Sequence, residues 1–106
     1  MANEWDADTL FDVFERADAR RILALTSVEA MSAKELAERC DASEATIYRR
    51  IDVLQDHDLV VERERVDDDG NHFRTYETNL DEVRFRLRDG GFDIDVTYRR
   101  DLVDDV

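Results

Sequence analysis

The sequence predicts an α+β fold in which helices come first and antiparallel hairpins follow. Three observations carry that prediction. Apolar residues recur at helical spacing as far as Leu59, two serines stand where helix N-caps are needed on either side of a short interruption, and beyond Leu59 the period changes from helical to two, with glycine in the turns. A length of 106 residues fits one domain with a modest core.

From Asp8 to Ala17 the residues Leu10, Phe11, Val13, Phe14 and Ala17 recur at helical spacing. Asp18 then reads as the N-cap of a second helix, Ala19 to about Ser27, with Ile22, Leu23 and Leu25 inward. Ser32 followed by Glu35 is a capping box, so a third helix should start at Ala33. Its Ala33, Leu36, Ala37 and Cys40 form an i, i+3, i+4, i+7 stripe, one apolar face. The run Cys40-Asp41-Ala42-Ser43 interrupts, and Ser43 should cap a fourth helix, Glu44 to about His57, with Ile47, Ile51 and Leu54 facing the core.

Val60 to Val66 and His72 to Thr78 read as two strands around the turn Asp67-Asp68-Asp69-Gly70-Asn71, with several loop lengths giving tolerable registers. A second hairpin should turn at Gly90-Gly91, which sets Arg88 opposite Asp93, Leu87 opposite Ile94, Arg86 opposite Asp95 and Phe85 opposite Val96. Of its basic residues, Arg86 and Arg88 then meet aspartates and Arg84 meets Thr97, so the stripe is mostly self-neutralised. Its other face, Val83, Phe85, Leu87, Phe92, Ile94, Val96 and Tyr98, is apolar throughout and needs cover from the chain's own helices or from a second subunit. The chain divides accordingly into an N-terminal helix at 1–18 with a possible dimer contact, a core at 19–79, and a hairpin with a short acidic tail at 80–106.

The formal charge is -13, from 28 acidic and 15 basic side chains, and Lys34 is the only lysine. The acid is dispersed rather than gathered into a tail. Such a surface resembles that of cytoplasmic proteins from halophilic archaea. The longest uncharged stretch, Ile22 to Val28, is too short to span a bilayer, and the start Met-Ala-Asn-Glu-Trp-Asp is unlike a signal peptide. The expectation is a soluble, cytoplasmic protein with no membrane contact. A single cysteine, Cys40, excludes an internal disulfide.

The order of helices, tight turn, helix and hairpin is that of a winged helix-turn-helix. The stretch "LAERCDASEATIYRRIDVLQDHDLV" resembles the DNA-binding core of ArsR-type winged-helix transcription regulators, particularly haloarchaeal ones, and the wider resemblance runs from Ala19 to Glu77. It carries a Leu-Ala pair, a capped turn, an Ile-x-x-x-Ile-x-x-Leu helix and a closing Leu-Val. The resemblance implies that Glu44 to His57 is the recognition helix and Val60 to Thr78 the wing. Asp41 and Asp58 stand where the family usually has glycine, which requires left-handed aspartates. The wing tip, Asp67, Asp68 and Asp69, would repel phosphate. The cysteine pair by which such regulators sense metals would fall at Met31-Ser32-Ala33-Lys34, where there is no cysteine.

A major groove about 12 Å wide accepts one helix, and base edges there carry a distinct donor and acceptor code. With Ile47, Ile51 and Leu54 inward, the outward arc is Ala45, Tyr48, Arg49 and Asp52, with Thr46 and Arg50 at its edges. Arg49 suits a bidentate contact to guanine, Tyr48 and Thr46 a phosphate or thymine methyl, and Arg50 a phosphate. In the wing, Arg63, Arg65 and Arg74, with His72, could reach DNA from the stems. The competing reading pairs these arginines with surface acids such as Glu44, Asp52 or Glu62. Cys40 reads as a buried, inert thiol on the apolar stripe, and His57 and His72 lack metal-ligand spacing.

The function this predicts is a sequence-specific DNA-binding transcription regulator, a winged-helix homodimer whose N-terminal Trp5, Phe11 and Phe14 supply surplus apolar surface. The partner is double-stranded DNA; no cofactor, no metal and no small-molecule ligand is called for. The alternative is a winged-helix interaction module that docks a protein of the transcription machinery without reading DNA. Nothing resembles a catalytic constellation, so no enzymatic activity is expected.

Overall fold

The computed structural model describes residues 6–99; Trp5 and the acidic tail lie outside the described residues. The order is α1 (Ala7–Glu15), α2 (Ala17–Val28), α3 (Ala33–Cys40), α4 (Glu44–Asp56), β1 (Val60–Val66), β2 (His72–Thr78), β3 (Leu80–Arg88) and β4 (Gly91–Tyr98). The strands form two separate antiparallel hairpins, β1-β2 and β3-β4. This is the α+β architecture of a winged helix-turn-helix with an additional C-terminal hairpin.

The break between α1 and α2 falls earlier than the sequence predicts. Ala17 opens α2 instead of closing α1, and Arg16, extended at φ -82 and ψ 120, is the hinge. Asp18 is no N-cap; it lies in the first turn of α2. The boundary is set by side chains further on. The Arg20 guanidinium donates to the carbonyls of Phe14 and Glu15 at the end of α1, satisfying acceptors that a helix C-terminus leaves without intrahelical donors.

Around the helix-turn-helix the local chemistry is as the sequence predicts. Ser32 Oγ accepts from Glu35 N at 3.2 Å while Glu35 Oε1 accepts from Ser32 N at 2.9 Å, closing the capping box. Ser43 Oγ accepts from Thr46 N at 3.1 Å and starts α4. Between the two helices Asp41 is left-handed at φ 54, and after α4 Asp58 is left-handed at φ 60. Aspartate tolerates this conformation better than most residues with a Cβ.

The core gathers the inner stripes of all four helices. Leu10, Ile22, Leu36, Ile47, Leu54 and Leu59 have no solvent exposure, and Ile51 has 1%. Each such side chain contributes roughly 1.5–3 kcal/mol of burial. Two buried threonines tie α2 to the wing: Thr26 Oγ1 and Thr78 Oγ1 lie 2.6 Å apart, and Thr78 Oγ1 donates to Leu23 O at 2.7 Å.

The first hairpin pairs Val60 with Thr78, Glu62 with Tyr76 and Arg65 with Phe73. Met31, just before α3, adds a bridge to Tyr76, its N–H donating to Tyr76 O at 3.0 Å and its carbonyl accepting from Tyr76 N at 2.8 Å. The wing is thereby fastened to the helix that opens the motif. Its turn is built by Asp67, whose Oδ1 accepts from Asp69 N at 2.9 Å and Asn71 N at 2.8 Å. Gly70 takes the positive φ of 83 that closes it. These bonds, the Asn71 amide first among them, hold the Asp67 carboxyl below the usual aspartate range.

The second hairpin departs from prediction by two residues. Its turn is Asp89-Gly90, at φ 35 and φ 89, so that Arg88 faces Gly91, Leu87 faces Phe92, Arg86 faces Asp93 and Phe85 faces Ile94. A two-residue turn of this hand needs positive φ at both centres, and Asp-Gly supplies it as well as Gly-Gly does. A shift of two residues preserves which side chains share a face, so the apolar face is the predicted one. The predicted ion pairs also form, now along the diagonal: Arg88 Nε to Asp93 Oδ2 at 3.1 Å and Arg86 Nη1 to Asp95 Oδ2 at 3.3 Å. A bulge interrupts pairing between Leu80 and Glu82.

Asn79, 3% exposed, joins the parts. Its N–H donates to Leu59 O at 2.8 Å, its side-chain amide donates to Asp58 O at 3.2 Å, and its carbonyl accepts from Arg99 N at 2.7 Å. The end of α4, the end of the wing and the end of the second hairpin therefore meet at one residue. Asn79→Ala removes a buried donor and should lower stability by about 1–3 kcal/mol, read as a lower urea midpoint with unchanged slope. The Asp67 turn should behave oppositely at the two ends of the pH range. A depressed carboxyl stabilises the folded turn above the ordinary aspartate range and loses that contribution as pH falls through its folded value. The amide resonances of Asp69 and Asn71 should then shift together in acid, and in Asp67→Asn they should not.

Candidate nucleic-acid interface

The inner stripe of α4 dictates what the helix shows to solvent. With Ile47, Ile51 and Leu54 buried, Ala45, Tyr48, Arg49 and Asp52 are exposed, and Thr46 and Arg50 are half-buried at the flanks. Tyr48 presents 47% of its surface. These are the positions that the helical spacing assigned to the outward arc.

The chemistry within the arc is ordered by the cap. Ser43 Oγ donates to Thr46 Oγ1 at 3.0 Å, and Arg49 Nη2 donates to the same oxygen at 3.2 Å. Thr46 is thus committed to the first turn, where it holds the Arg49 guanidinium toward the helix N-terminus. Among the described residues no carboxylate pairs with Arg49.

The other arginines named from the sequence are differently placed. Arg50, with 16% of its side chain exposed, spans from α4 to α2 and donates from Nε to both oxygens of Asp18, at 3.1 and 3.0 Å. Asp18 also lies 3.9 Å from Arg16 Nε. Arg50 therefore fixes the angle between the two helices. In the wing, Arg63 Nε meets Glu77 Oε1 at 3.1 Å, Arg74 Nε meets Glu62 Oε2 at 3.4 Å, and Arg65 Nε donates to Thr75 Oγ1 at 3.4 Å. His72 Nδ1 lies 3.2 Å from Glu64. The wing's cations mostly face its own anions, and Arg65 alone of the three arginines has no carboxylate partner among the described residues.

Charge is distributed less evenly than its dispersed appearance in the sequence. Between residues 16 and 50, Arg16, Arg20, Arg21, Lys34, Arg39, Arg49 and Arg50 face Asp18, Glu29, Glu35, Glu38, Asp41 and Glu44, a net charge of +1 inside a chain of -13. Residues 16–50 are thus the least acidic part of the molecule, although α4 runs on through Asp52 and Asp56, which bring α2 to α4 to six basic against eight acidic side chains. Sequence reasoning passed over five of these groups: Lys34 and Arg39 on α3, Arg20 and Arg21 on α2, and Arg16 between α1 and α2. Arg21 Nε donates to Arg39 O at 3.3 Å, which places the α2 and α3 cations side by side. A charge sum taken segment by segment, rather than over the chain, is the signal that finds them.

Cys40, part-buried against the core, sits beside these arginines. Burial pushes its thiol up, and the nearby Arg21 and Arg39 offset that only in part. A thiol held up in this way is a poor nucleophile. His57 Nδ1 lies 3.0 Å from Val53 O, at the far end of α4 from the cap. Among the described residues no group of three histidine, cysteine or carboxylate side chains converges to hold a metal ion, and no helix is long and apolar enough to cross a membrane.

A comparison with curated proteins gives no match. Residues 17–63, from the first residue of α2 to Arg63 in β1, match the model of a family described as a helix-turn-helix domain, and that similarity points to a DNA-binding regulator.

Proposed function

We propose that this protein is a sequence-specific transcription regulator of the ArsR-like winged-helix kind, acting as a homodimer that lays α4 in the major groove of double-stranded DNA. The observation that carries the reading is the exposed Arg49, with Tyr48 beside it and a small Ala45 ahead of it, on a helix whose opposite side is fully buried. An arginine poised by Thr46 and not engaged by acid has its donor fork available for a guanine O6/N7 pair. Lys34 and Arg39, on α3, supply the backbone contacts that the first helix of such a motif makes. Arg65 is the wing residue best placed to add one; Arg63 and Arg74 reach phosphate only by leaving Glu77 and Glu62. Arg50 contributes by orientation, through Asp18.

An acidic, lysine-poor chain of this composition suits a cytoplasm of molar salt. At about 1 M salt the Debye length falls to roughly 3 Å. Both the long-range repulsion between the acidic wing and phosphate, and the gain from counterion release, then fade. Short-range contacts from the cations of α3 and α4 then decide the affinity.

One feature favours a second reading, that of a docking module for a protein of the transcription machinery. Residues 51–79 carry nine acidic side chains (Asp52, Asp56, Asp58, Glu62, Glu64, Asp67, Asp68, Asp69 and Glu77) against Arg63, Arg65 and Arg74. A basic protein would find that surface complementary.

Selection of duplex DNA from a random pool in 2–3 M potassium chloride separates the two. A regulator enriches a two-fold motif; a docking module enriches none. On the enriched site Arg49→Ala should cost about 1–3 kcal/mol of binding and relax preference at one base pair in each half-site, measured by fluorescence anisotropy. The same measurement from 0.1 to 2 M potassium chloride should show affinity held or rising, in contrast to the steep fall of a protein that binds by neutralising phosphates.

A further inference from the structure

Between α1 and α4 the chain leaves a cavity of about 380 Å³, within the ~300–1,000 Å³ range of small-molecule sites. Thr9, Asp12, Val13 and Arg16 line it on one side, and Arg50, Val53, Leu54 and His57 on the other. Both sets recur at i, i+3, i+4 and i+7, the spacing of one helical face. This flank of α4 is not the one that carries Ala45, Tyr48 and Arg49. Between the two walls lies an apolar surface. Val13, Leu54 and Ala19 of α2 are buried, and Val53 keeps 39% of its surface exposed.

The charged groups at the cavity decide what it can hold. Its cations are engaged: Arg50 Nε donates to both oxygens of Asp18, at 3.1 and 3.0 Å, and Arg16 Nε lies 3.9 Å from the same carboxylate. The neighbouring Arg20 is turned to the carbonyls of Phe14 and Glu15, and His57 Nδ1 lies 3.0 Å from Val53 O. The carboxylates of Asp12 and Glu15, which also line the cavity, are exposed and make no ion pair or side-chain hydrogen bond among the described residues. Counting every charged group of residues 7–20 and 49–57, the stretches that build both walls, gives six acids against four arginines, a net charge of -2. An apolar surface beside two uncommitted carboxylates matches a cation with an apolar body. An ammonium group also brings N–H donors for those oxygens, whereas an anion of the same shape would meet two like charges.

We propose that this cavity binds a primary ammonium ion carrying an apolar body, with its nitrogen at Asp12 and Glu15 and its hydrocarbon against Val13, Val53 and Leu54. The inference goes beyond the DNA-reading assignment, does not depend on it, and is tested without DNA.

The probes are hexylammonium, hexanol and hexanoate, which share one apolar chain and differ in charge. Each is titrated into the full chain while the methyl resonances of Val13, Val53 and Leu54 are followed. Hexylammonium should shift them saturably and bind about 3–10-fold tighter than hexanol, with hexanoate weakest. Asp12→Asn combined with Glu15→Gln changes two exposed side chains. It should bring hexylammonium down to the affinity of hexanol, leaving hexanol binding and the melting temperature unchanged. Asp68→Asn combined with Asp69→Asn removes the same charge at the wing tip and should leave all three affinities as they were. Hexylammonium that binds no tighter than hexanol or hexanoate overturns the proposal, as does a full chain whose three methyl groups respond to none of the probes. A wing-tip variant that loses hexylammonium as fully as the α1 variant overturns it too, because the attraction then belongs to the acidic chain at large. Any of these failures leaves selection of a DNA motif, and the DNA-reading assignment, untouched.

Discussion

The rotation of α4 about its own axis is the constraint on which the rest depends. Ile47, Ile51 and Leu54 have at most 1% exposure, and they occupy one narrow stripe at i, i+4 and i+7. Turning the helix by one residue would bring at least one of them into water and push a tyrosine or an arginine inward, at a cost of several kcal/mol for the unpaired charge alone. The stripe therefore decides, with no reference to any ligand, that Tyr48 and Arg49 point outward. The cross-link from Arg50 to Asp18 then fixes the tilt of α4 against α2, and the bridge from Met31 to Tyr76 fixes the wing against α3. The proposed recognition residues sit on a surface that packing has already oriented.

An acidic protein approaches a polyanion by sorting its charge. Residues 16–50 hold cations and acids in near balance, while the wing holds acids that are largely spoken for. Asp67 shapes its turn through hydrogen bonds to two backbone amides, and Glu62 and Glu77 face Arg74 and Arg63 across the strands. What remains exposed and unpaired at the tip is Asp68 and Asp69. Repulsion from those two is local, and it falls away over a few ångströms when salt is concentrated.

Much of this was legible in the sequence because it is local. Caps at Ser32 and Ser43, left-handed aspartates at 41 and 58, and the inner stripe of α4 all involve residues within a few positions of one another, and the structure has them as the pattern implies. Interactions across the chain were not legible. Asp18 looks like an N-cap because aspartate is good at that task; its real partner, Arg50, lies 32 residues on. The pairing of Arg63 with Glu77 depends on a register that several loop lengths could satisfy. The second hairpin shows an intermediate case. Gly-Gly and Asp-Gly both satisfy the turn, so the register slipped by two. Because the slip was even, the faces survived, and because Arg and Asp reach diagonal neighbours, the ion pairs survived as well.

Asn79 gives the two halves of the molecule a fixed relation. It bonds Asp58 and Leu59 at the end of α4 and Arg99 at the end of β4, and Arg99 Nη1 donates in turn to Ser27 O at 3.2 Å near the end of α2. Tyr98 Oη lies 3.3 Å from His57 O, a further tie between β4 and the end of α4. A hairpin hinged at one point would swing, and two recognition helices carried by swinging arms could meet half-sites at many spacings. A hairpin clamped at α2, at α4 and at the wing cannot. In the proposed homodimer, the distance between the two copies of α4 is then set by the folded core rather than by the DNA. The half-site spacing of an operator, about one helical turn or 34–36 Å in two-fold helix-turn-helix complexes, then becomes a property written into residues that never touch a base.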